Sequence, residues 1–177
     1  RLDVLIHNAA NFDLTMKKPI LTVDGFETIF ATNHLGPFLL THLLLDILKK
    51  SSPSRIITIA SKGLAAYPFL KMDFTNLNGE RKFSPQQAYY QSKLAQLIFT
   101  YSLAEKLKGT DVTVNCVRVT NVALPDDRIS ELPGWMQKAY RLKRSMSITP
   151  EDQAKTYVYL ATDPRTASVT ADPTSRT

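Results

Sequence analysis

A tyrosine four residues before a lysine sets a phenol beside an ammonium when both lie on one helix, because i and i+4 side chains are stacked neighbours. The ammonium favours the phenolate and lowers the tyrosine pKa. A phenol tuned in this way can exchange a proton with an alcohol or carbonyl oxygen. Bringing tyrosine from about 10 toward 7 takes roughly three pH units, about 4 kcal/mol, of which one lysine supplies part. The pattern alone is weak: seven tyrosines and 13 lysines in 177 residues give about half a match by chance. The chain carries two matches, Tyr67/Lys71 and Tyr89/Lys93. Tyr67 precedes Pro68, which disfavours helical geometry there. Tyr89 and Lys93 lie inside a well-punctuated helical pattern and are the better pair. The bland alternative is an exposed helix with an incidental Tyr and Lys.

Ser61 closes a β-branched run, at the carboxyl end of an expected buried strand, where open parallel sheets place their ligands. Its hydroxyl there can hold an oxygen poised to exchange a proton with Tyr89, or it is simply a turn residue. Asn33 follows Ile29 by four and Phe30 by three, on an apolar stripe where a polar side chain needs a partner. Pro37, four residues later, has no N–H for the Asn33 carbonyl. That carbonyl is then free for a water or another donor, as a tolerated defect or as part of a site.

The elements that position these residues are legible. Leu2-Asp3-Val4-Leu5-Ile6, Ser54 to Ser61 and Asp111 to Val117 read as buried strands. A first helix is expected from about Val23 to Lys50, capped by Thr22 or Asp24. Phe26, Ile29, Phe30, Leu40, Leu43, Leu44 and Ile47 would face the core, with a kink at Gly36-Pro37. A second has Ser84 as N-cap, Pro85 in its first turn and Gly109 past its end. A third begins at Thr149-Pro150-Glu151-Asp152. Residues 123–148 read as a loop with a short helix near Trp135 to Arg144. Strands alternating with long crossovers mean parallel pairing in an α/β layered fold.

Composition excludes several classes. The length suits one domain, 1–177, and the composition is 44% apolar with a formal charge of +6. The six glycines stand at least 11 residues apart, so neither a Gly-rich dinucleotide turn nor a P-loop lies in this chain. One cysteine, Cys116, rules out an intramolecular disulfide, which fits an intracellular, cytoplasmic setting; it reads as a small core residue. The greasy stretch Gly36–Leu48 is too interrupted to span a membrane. His7, His34 and His42 lack metal-ligand spacing, so no metal site is expected. Lys138, Arg141, Lys143 and Arg144 cluster near Trp135, but no nucleic-acid motif accompanies them and a solvated face is expected. Arg1 leads straight into an apolar run, as in the middle of a longer chain.

Asn8-Ala9-Ala10 after a strand, Phe30-Ala31-Thr32-Asn33-His34-Leu35-Gly36, Arg55 to Ser61, and Ala88-Tyr89-Tyr90-Gln91-Ser92-Lys93-Leu94-Ala95 together resemble the short-chain dehydrogenases/reductases. The similarity in order and spacing spans about Asp3 to Asp163 and is nearest to the retinol-dehydrogenase-like branch. It implies a partial Rossmann-like, doubly wound parallel sheet in three α/β/α layers, forming the C-terminal catalytic part of that fold. It implies hydride transfer between NADP or NAD and the CH–OH or carbonyl group of a lipophilic, retinoid- or steroid-like alcohol, ketone or aldehyde. Tyr89 would be the general acid/base, and Lys93 would lower its pKa and hold the nicotinamide ribose. Ser61 would orient the substrate oxygen, and the Asn33 carbonyl would hold a water relaying protons to Lys93. Asn8, Ala9 and Ala10 would line the adenosine side of the cofactor cleft, and Val122 the nicotinamide side. Leu132, Trp135, Met136 and Tyr140 would form an apolar substrate mouth, and the helices at about 23–50 and 85–108 a homodimer face.

The departures are specific. The family's opening strand and Gly-rich turn, with the residue that chooses NAD or NADP, are not in this chain. The usual Asn-Ala-Gly reads Asn8-Ala9-Ala10, so a positive φ at Ala10 would be strained. Val119-Thr120 replaces a Pro-Gly pair, and Val169-Thr170-Ala171-Asp172-Pro173 ends where a last strand would begin. Three strands with two open edges make a poor sheet alone. The expectation is a piece of a longer chain, a natural truncation, or an edge covered by another subunit. Besides the oxidoreductase, two alternatives stand: a non-catalytic family member acting through oligomerisation or partners, and a basic nucleic-acid module resting on charge alone.

Overall fold

The structure, a computed structural model, describes residues 1–172. β1 (Val4–His7), β2 (Ser54–Ser61) and β3 (Val112–Val119) form one parallel sheet in that order. The register sets His7 against Thr58 and Ser61 against Val119, so the three carboxyl ends open along one edge. The strands match the apolar, β-branched runs to within two residues. The helical elements are α1 (Thr28–Phe30), a π-helical turn at Ala31–Leu35, α2 (Gly36–Lys50), α3 (Pro85–Lys106), α4 (Asp126–Ser130), α5 (Gly134–Lys143) and α6 (Pro150–Thr162). None of the described helices is long and apolar enough to cross a membrane.

Alternation along the strands builds two cores. Ile56, Val112 and Val114 pack with Leu48 of α2 and Leu103, Ala104 and Leu107 beside α3 on one face. Ile57, Ile59 and Val117 pack with Tyr157, Leu160 and Ala161 of α6 on the other. This is the three-layer α/β/α arrangement, and each fully buried Ile contributes about 1.5–3 kcal/mol to it. Arg55 staples α6 to the sheet. Its guanidinium donates to the carbonyls of Leu160 at 2.7 Å and Asp163 at 3.0 Å, and to the Thr166 hydroxyl at 2.9 Å. Those carbonyls lie at the end of α6, where Thr166 also donates to both of them.

The expected caps of α3 and α6 are present. Ser84 accepts from the Gln87 N–H at 3.3 Å, and Thr149 from that of Asp152 at 3.1 Å. Gly109 has a φ of +82°, which suits the residue that ends α3. The first helix differs from expectation. Asp24-Gly25 folds as a turn, with Gly25 at φ +82° and the Thr22 N–H bonded to the Phe26 carbonyl at 2.8 Å. The helix therefore starts at Thr28, and its cap is the fully buried Glu27, which accepts from the Ile29 and Phe30 N–H groups at 2.9 Å each. The irregularity expected at Gly36-Pro37 is the π turn just before it. Pro37 lacks an N–H and its ring crowds the Asn33 carbonyl, which widens that turn.

The buried stripe also differs. Asn33, Pro37, Thr41 and Leu48 face inward, while Phe26, Leu40, Leu43 and Ile47 are exposed. Cys116 is only half-buried. No non-glycine residue described here has a positive φ, so Ala10 carries no such strain. The outer edge of β3 is partly covered: Ala171 N–H donates to the Val114 carbonyl at 2.8 Å, and Asn115 Nδ2 to that of Val169 at 2.6 Å. Pro173, named above with this tail, lies outside the described residues.

Candidate active site

Ser61, Tyr89 and Lys93 meet at the carboxyl end of β2. Ser61 is the last residue of that strand, and its Oγ accepts the Gly63 N–H at 3.1 Å. The same hydroxyl hydrogen-bonds the phenol of Tyr89, the fifth residue of α3. The Tyr89 ring packs against Phe12, from the loop after β1, at 4.1 Å between centroids. One turn along α3, the Lys93 ammonium stands 5.8 Å from the Tyr89 ring centroid. Lys93 is buried and donates to the Ile59 carbonyl at 2.7 Å and to Gln96 Oε1 at 3.2 Å. An ammonium has three protons, so one remains to give.

Electrostatics correct one expectation. Burial raises the Tyr89 pKa above its ordinary value, against the pull of the Ser61 hydrogen bond, and Tyr90 and Tyr140 add to the rise. Lys93 is not among the groups that move it; its ammonium is engaged by the Ile59 carbonyl and Gln96 Oε1. Burial also pushes Lys93 down, to about 8. Both groups are thus held toward their neutral forms, and Tyr89 holds its proton firmly.

Asn33 finds the partners its buried place demands. Its Nδ2 donates to Ser92 Oγ at 2.9 Å and to the Asn11 carbonyl at 3.0 Å, and its Oδ1 accepts the Asn11 N–H at 2.6 Å. Ser92 in turn donates to the Tyr89 carbonyl at 2.7 Å. The π turn, the loop after β1 and the Tyr89 turn of α3 are therefore joined through two side chains. Sequence reasoning missed Ser92; its signal was a small hydroxyl three residues after Tyr89.

Asn8, Ala9 and Ala10 are exposed just past the end of β1. Val122 is half-buried beyond β3, where its segment pairs with Ile148. Among the described residues no hydrogen bond ties Asn8, Ala9, Ala10 or Val122 to Ser61, Tyr89 or Lys93, although all lie at the same edge of the sheet. Of the expected mouth, Met136 is buried, Tyr140 is half-buried and raises the pKa values of Tyr89 and Tyr90 by its charge, and Trp135 is 72% exposed on the outside. Tyr67 of the rejected pair lies outside any α-helix yet joins the wall: its ring is 4.4 Å from that of Tyr90, and Gln86 donates to its hydroxyl. Gly63 was also missed. A Cβ there would come within 2.6 Å of the Tyr90 hydroxyl and 3.2 Å of Ser61 Oγ.

The other candidates are structural. His7 bonds Thr41 at 2.6 Å, and His34 sits among Phe30, Phe38 and Phe99. No cluster that could hold a metal ion occurs among the described residues. A nicotinamide dinucleotide fits the residues present at one end. Lys93 has a proton to give a ribose hydroxyl, while the scattered glycines provide no cradle for a pyrophosphate.

A sheet open at its carboxyl edge, with Ser, Tyr and Lys converging there, is a nucleotide-linked enzyme architecture. A short-chain dehydrogenase family model, described as Enoyl-(Acyl carrier protein) reductase, matches residues 1–172, and the chain belongs to the short-chain dehydrogenase/reductase family. It is 41% identical over 170 residues to Retinol dehydrogenase 14 of Homo sapiens, covering 96% of this chain and 49% of that protein. It is 49% identical over 119 residues to Retinol dehydrogenase 13 of Homo sapiens, covering 66% of this chain and 34% of that one. The chain spans about half the length of the curated relatives it matches at full coverage. Among solved structures, a short-chain dehydrogenase from Pseudomonas syringae superposes with a TM-score of 0.65 at 25% identity, covering 96% of this chain and 59% of that one. A 4-hydroxyisoleucine dehydrogenase complexed with NADH shares the fold, with a TM-score of 0.62 at 20% identity over 95% of this chain and 64% of that one. These matches lend no support to a non-catalytic reading.

Proposed function

We propose that this chain is the catalytic part of a nicotinamide-dependent oxidoreductase acting on a lipophilic alcohol, ketone or aldehyde of retinoid or steroid type. The observation that carries the reading is the convergence of the Ser61 hydroxyl, the Tyr89 phenol and the buried Lys93 ammonium at one strand end. When bound, NADP or NAD supplies or accepts the hydride at the substrate carbon. In the reductive direction Tyr89 gives its proton to the carbonyl oxygen, and in the oxidative direction its phenolate, formed once that proton has left, takes the alcohol proton. Its raised pKa favours the proton-donating form. Ser61 holds the same oxygen. Lys93 holds the ribose with its remaining proton, and Asn8, Ala9, Ala10 and Val122 line the rest of the cofactor cleft. The Asn33 carbonyl, denied a donor at Pro37, holds a water that passes protons to Lys93.

An apolar substrate is supported by the aromatic surroundings of Tyr89, Phe12 and Tyr90, and by relatives named retinol dehydrogenases. The exposed Phe38, Leu39, Leu40 and Leu43 on α2 form an apolar face suited to a second copy of the chain.

The test is nicotinamide turnover with apolar alcohols and carbonyls, using the whole protein that contains this chain. NADPH and NADH binding is followed in parallel by nicotinamide fluorescence. Tyr89→Phe is expected to keep cofactor binding and lose about 10²–10⁴-fold in rate, while Tyr67→Phe keeps most of it. An unimpaired Tyr89→Phe enzyme would overturn the reading.

A further inference from the structure

We propose that the outer face of α5 is a membrane-interface surface that docks on an anionic phospholipid bilayer. The argument is about binding and does not rest on the catalytic reading. Trp135 and Leu142 on α5, with Met146 in the turn that continues it, are 72, 79 and 74% exposed. Their spacing of seven and four residues, with Ala139 between, puts them on one stripe. Met136 and Tyr140 lie on the flank next to the stripe: Met136 is buried, and Tyr140 is half-buried and lies near enough to raise the pKa values of Tyr89 and Tyr90. α5 therefore packs on the rest of the fold through Met136 and leaves the stripe outward.

Charge decides which occupant suits the stripe. Lys138 and Arg141 border it, both exposed, and neither has an acidic partner among the described residues. α5 contains no Asp or Glu, and Arg144, just past its end, is taken up by Asp126. A basic border beside an exposed Trp–Leu–Met stripe is the pattern of a helix lying in a bilayer interface. The apolar face then sinks into the headgroup–acyl boundary, and the cations meet anionic headgroups. Tryptophan favours that depth because its ring is apolar and its N–H polar. A nucleic acid would satisfy the cations but would leave Leu142 and Met146 in water, so lipid fits both halves of the surface. Docked this way, α5 would present its inner side, with Tyr140, to the Tyr89 site and its outer side to the bilayer.

Trp135 is the single tryptophan of this chain, and the emission of the whole protein that is lost in Trp135→Phe reports this face. The experiment mixes the protein with phosphatidylcholine vesicles with and without phosphatidylserine, reading co-flotation and Trp135 emission, with brominated lipids as depth-sensitive quenchers. The expected result is co-flotation and a blue shift with the anionic vesicles, weakening as salt rises, with quenching by the brominated chains. Lys138→Glu with Arg141→Glu should weaken binding about thirtyfold or more, from roughly 1 kcal/mol per basic residue. Trp135→Ser with Leu142→Ser should abolish co-flotation. These positions are exposed, so the variants should melt as the parent does. Tyr89→Phe should bind vesicles normally, which separates this surface from the catalytic reading. The proposal is overturned by absent flotation, by binding that the charge variant leaves intact, by tighter binding to an oligonucleotide than to anionic vesicles, or by a Trp135 shift that tracks protein concentration without lipid.

Discussion

The Lys93 ammonium donates to the carbonyl of Ile59 at 2.7 Å, tying α3 to the central strand two residues before Ser61. Tyr89 lies one turn earlier on the same helix. The bond therefore sets how far α3 stands along β2, and with it the meeting of the phenol and the serine hydroxyl. The structural cost is a buried ammonium, and that cost can be measured.

Lys93 has a folded-state pKa of about 8 against an ordinary 10.5. Below pH 8 it is charged in both states, and burying the charge costs about 3 kcal/mol. Between pH 8 and 10.5 the unfolded chain binds more protons than the folded one, so this cost fades and stability rises with pH. Lys93→Met removes the charge but leaves Gln96 Oε1 without its partner. The variant should be about 1 kcal/mol more stable at pH 7 and should lack the rise, while turnover is lost. Urea unfolding of both proteins at pH 7 and 9.5 checks this.

His7 behaves in the opposite pH range. Thr41 gives its hydroxyl proton to the Pro37 carbonyl at 2.8 Å, so His7 Nε2 is the donor in their 2.6 Å bond. Burial holds its pKa at about 4 against 6.5. As pH falls from 6.5 to 4 the unfolded chain takes up the proton first, and stability drops by up to about 3 kcal/mol. His7→Gln keeps an N–H for Thr41 without titrating. Chemical unfolding at pH 7 and 4.5 should show a smaller acid loss in the variant, and equal losses would refute the assignment.

Asn33→Ala deletes three hydrogen bonds at a fully buried position. A loss of about 2–4 kcal/mol is expected, because the Asn11 groups and Ser92 lose partners. The backbone carbonyl of residue 33 survives the change. The fall in thermal midpoint should therefore come with faster proteolysis in the loop after β1, where Asn11 is released. A midpoint within error of the parent would show that Asn33 is not the clamp.

Gly63→Ala places a methyl group 2.6 Å from the Tyr90 hydroxyl and 3.2 Å from Ser61 Oγ. Tyr90 must move and the Ser61 hydroxyl with it, so turnover should fall at least about tenfold through lost positioning. Removing the closest clash, in Gly63→Ala/Tyr90→Phe, should restore part of the rate, because the ring carbon at 3.0 Å remains. Steady-state kinetics of the two singles and the double reads this coupling, and an additive pair would contradict it.

Much of this protein is written in local sequence. The three strands announce themselves by β-branched runs, α3 and α6 by Ser84-Pro85 and Thr149-Pro150, and the parallel order by crossovers too long for hairpins. Tyr89, Lys93 and Ser61 could be picked out because i, i+4 spacing and a strand end are local geometry, and Asn33 because a polar residue between Ile29, Phe30 and Pro37 conflicts with its surroundings. The start of the first helix was legible too, in Asp24-Gly25, but Phe26 suggested a longer period than the chain follows. What only packing decides is which way each element turns and what each polar group meets. Leu40, Leu43 and Ile47 read as core by spacing, yet Thr41 and Leu48 took the inward face because His7 and the sheet lie there. Lys93 meets the Ile59 carbonyl, Asn33 meets Ser92 across 59 positions of sequence, and burial outweighs the Ser61 hydrogen bond at Tyr89. Sequence spacing carries the direction of a side chain on its own element; desolvation and partners arise between elements, and so appear only when the layers close.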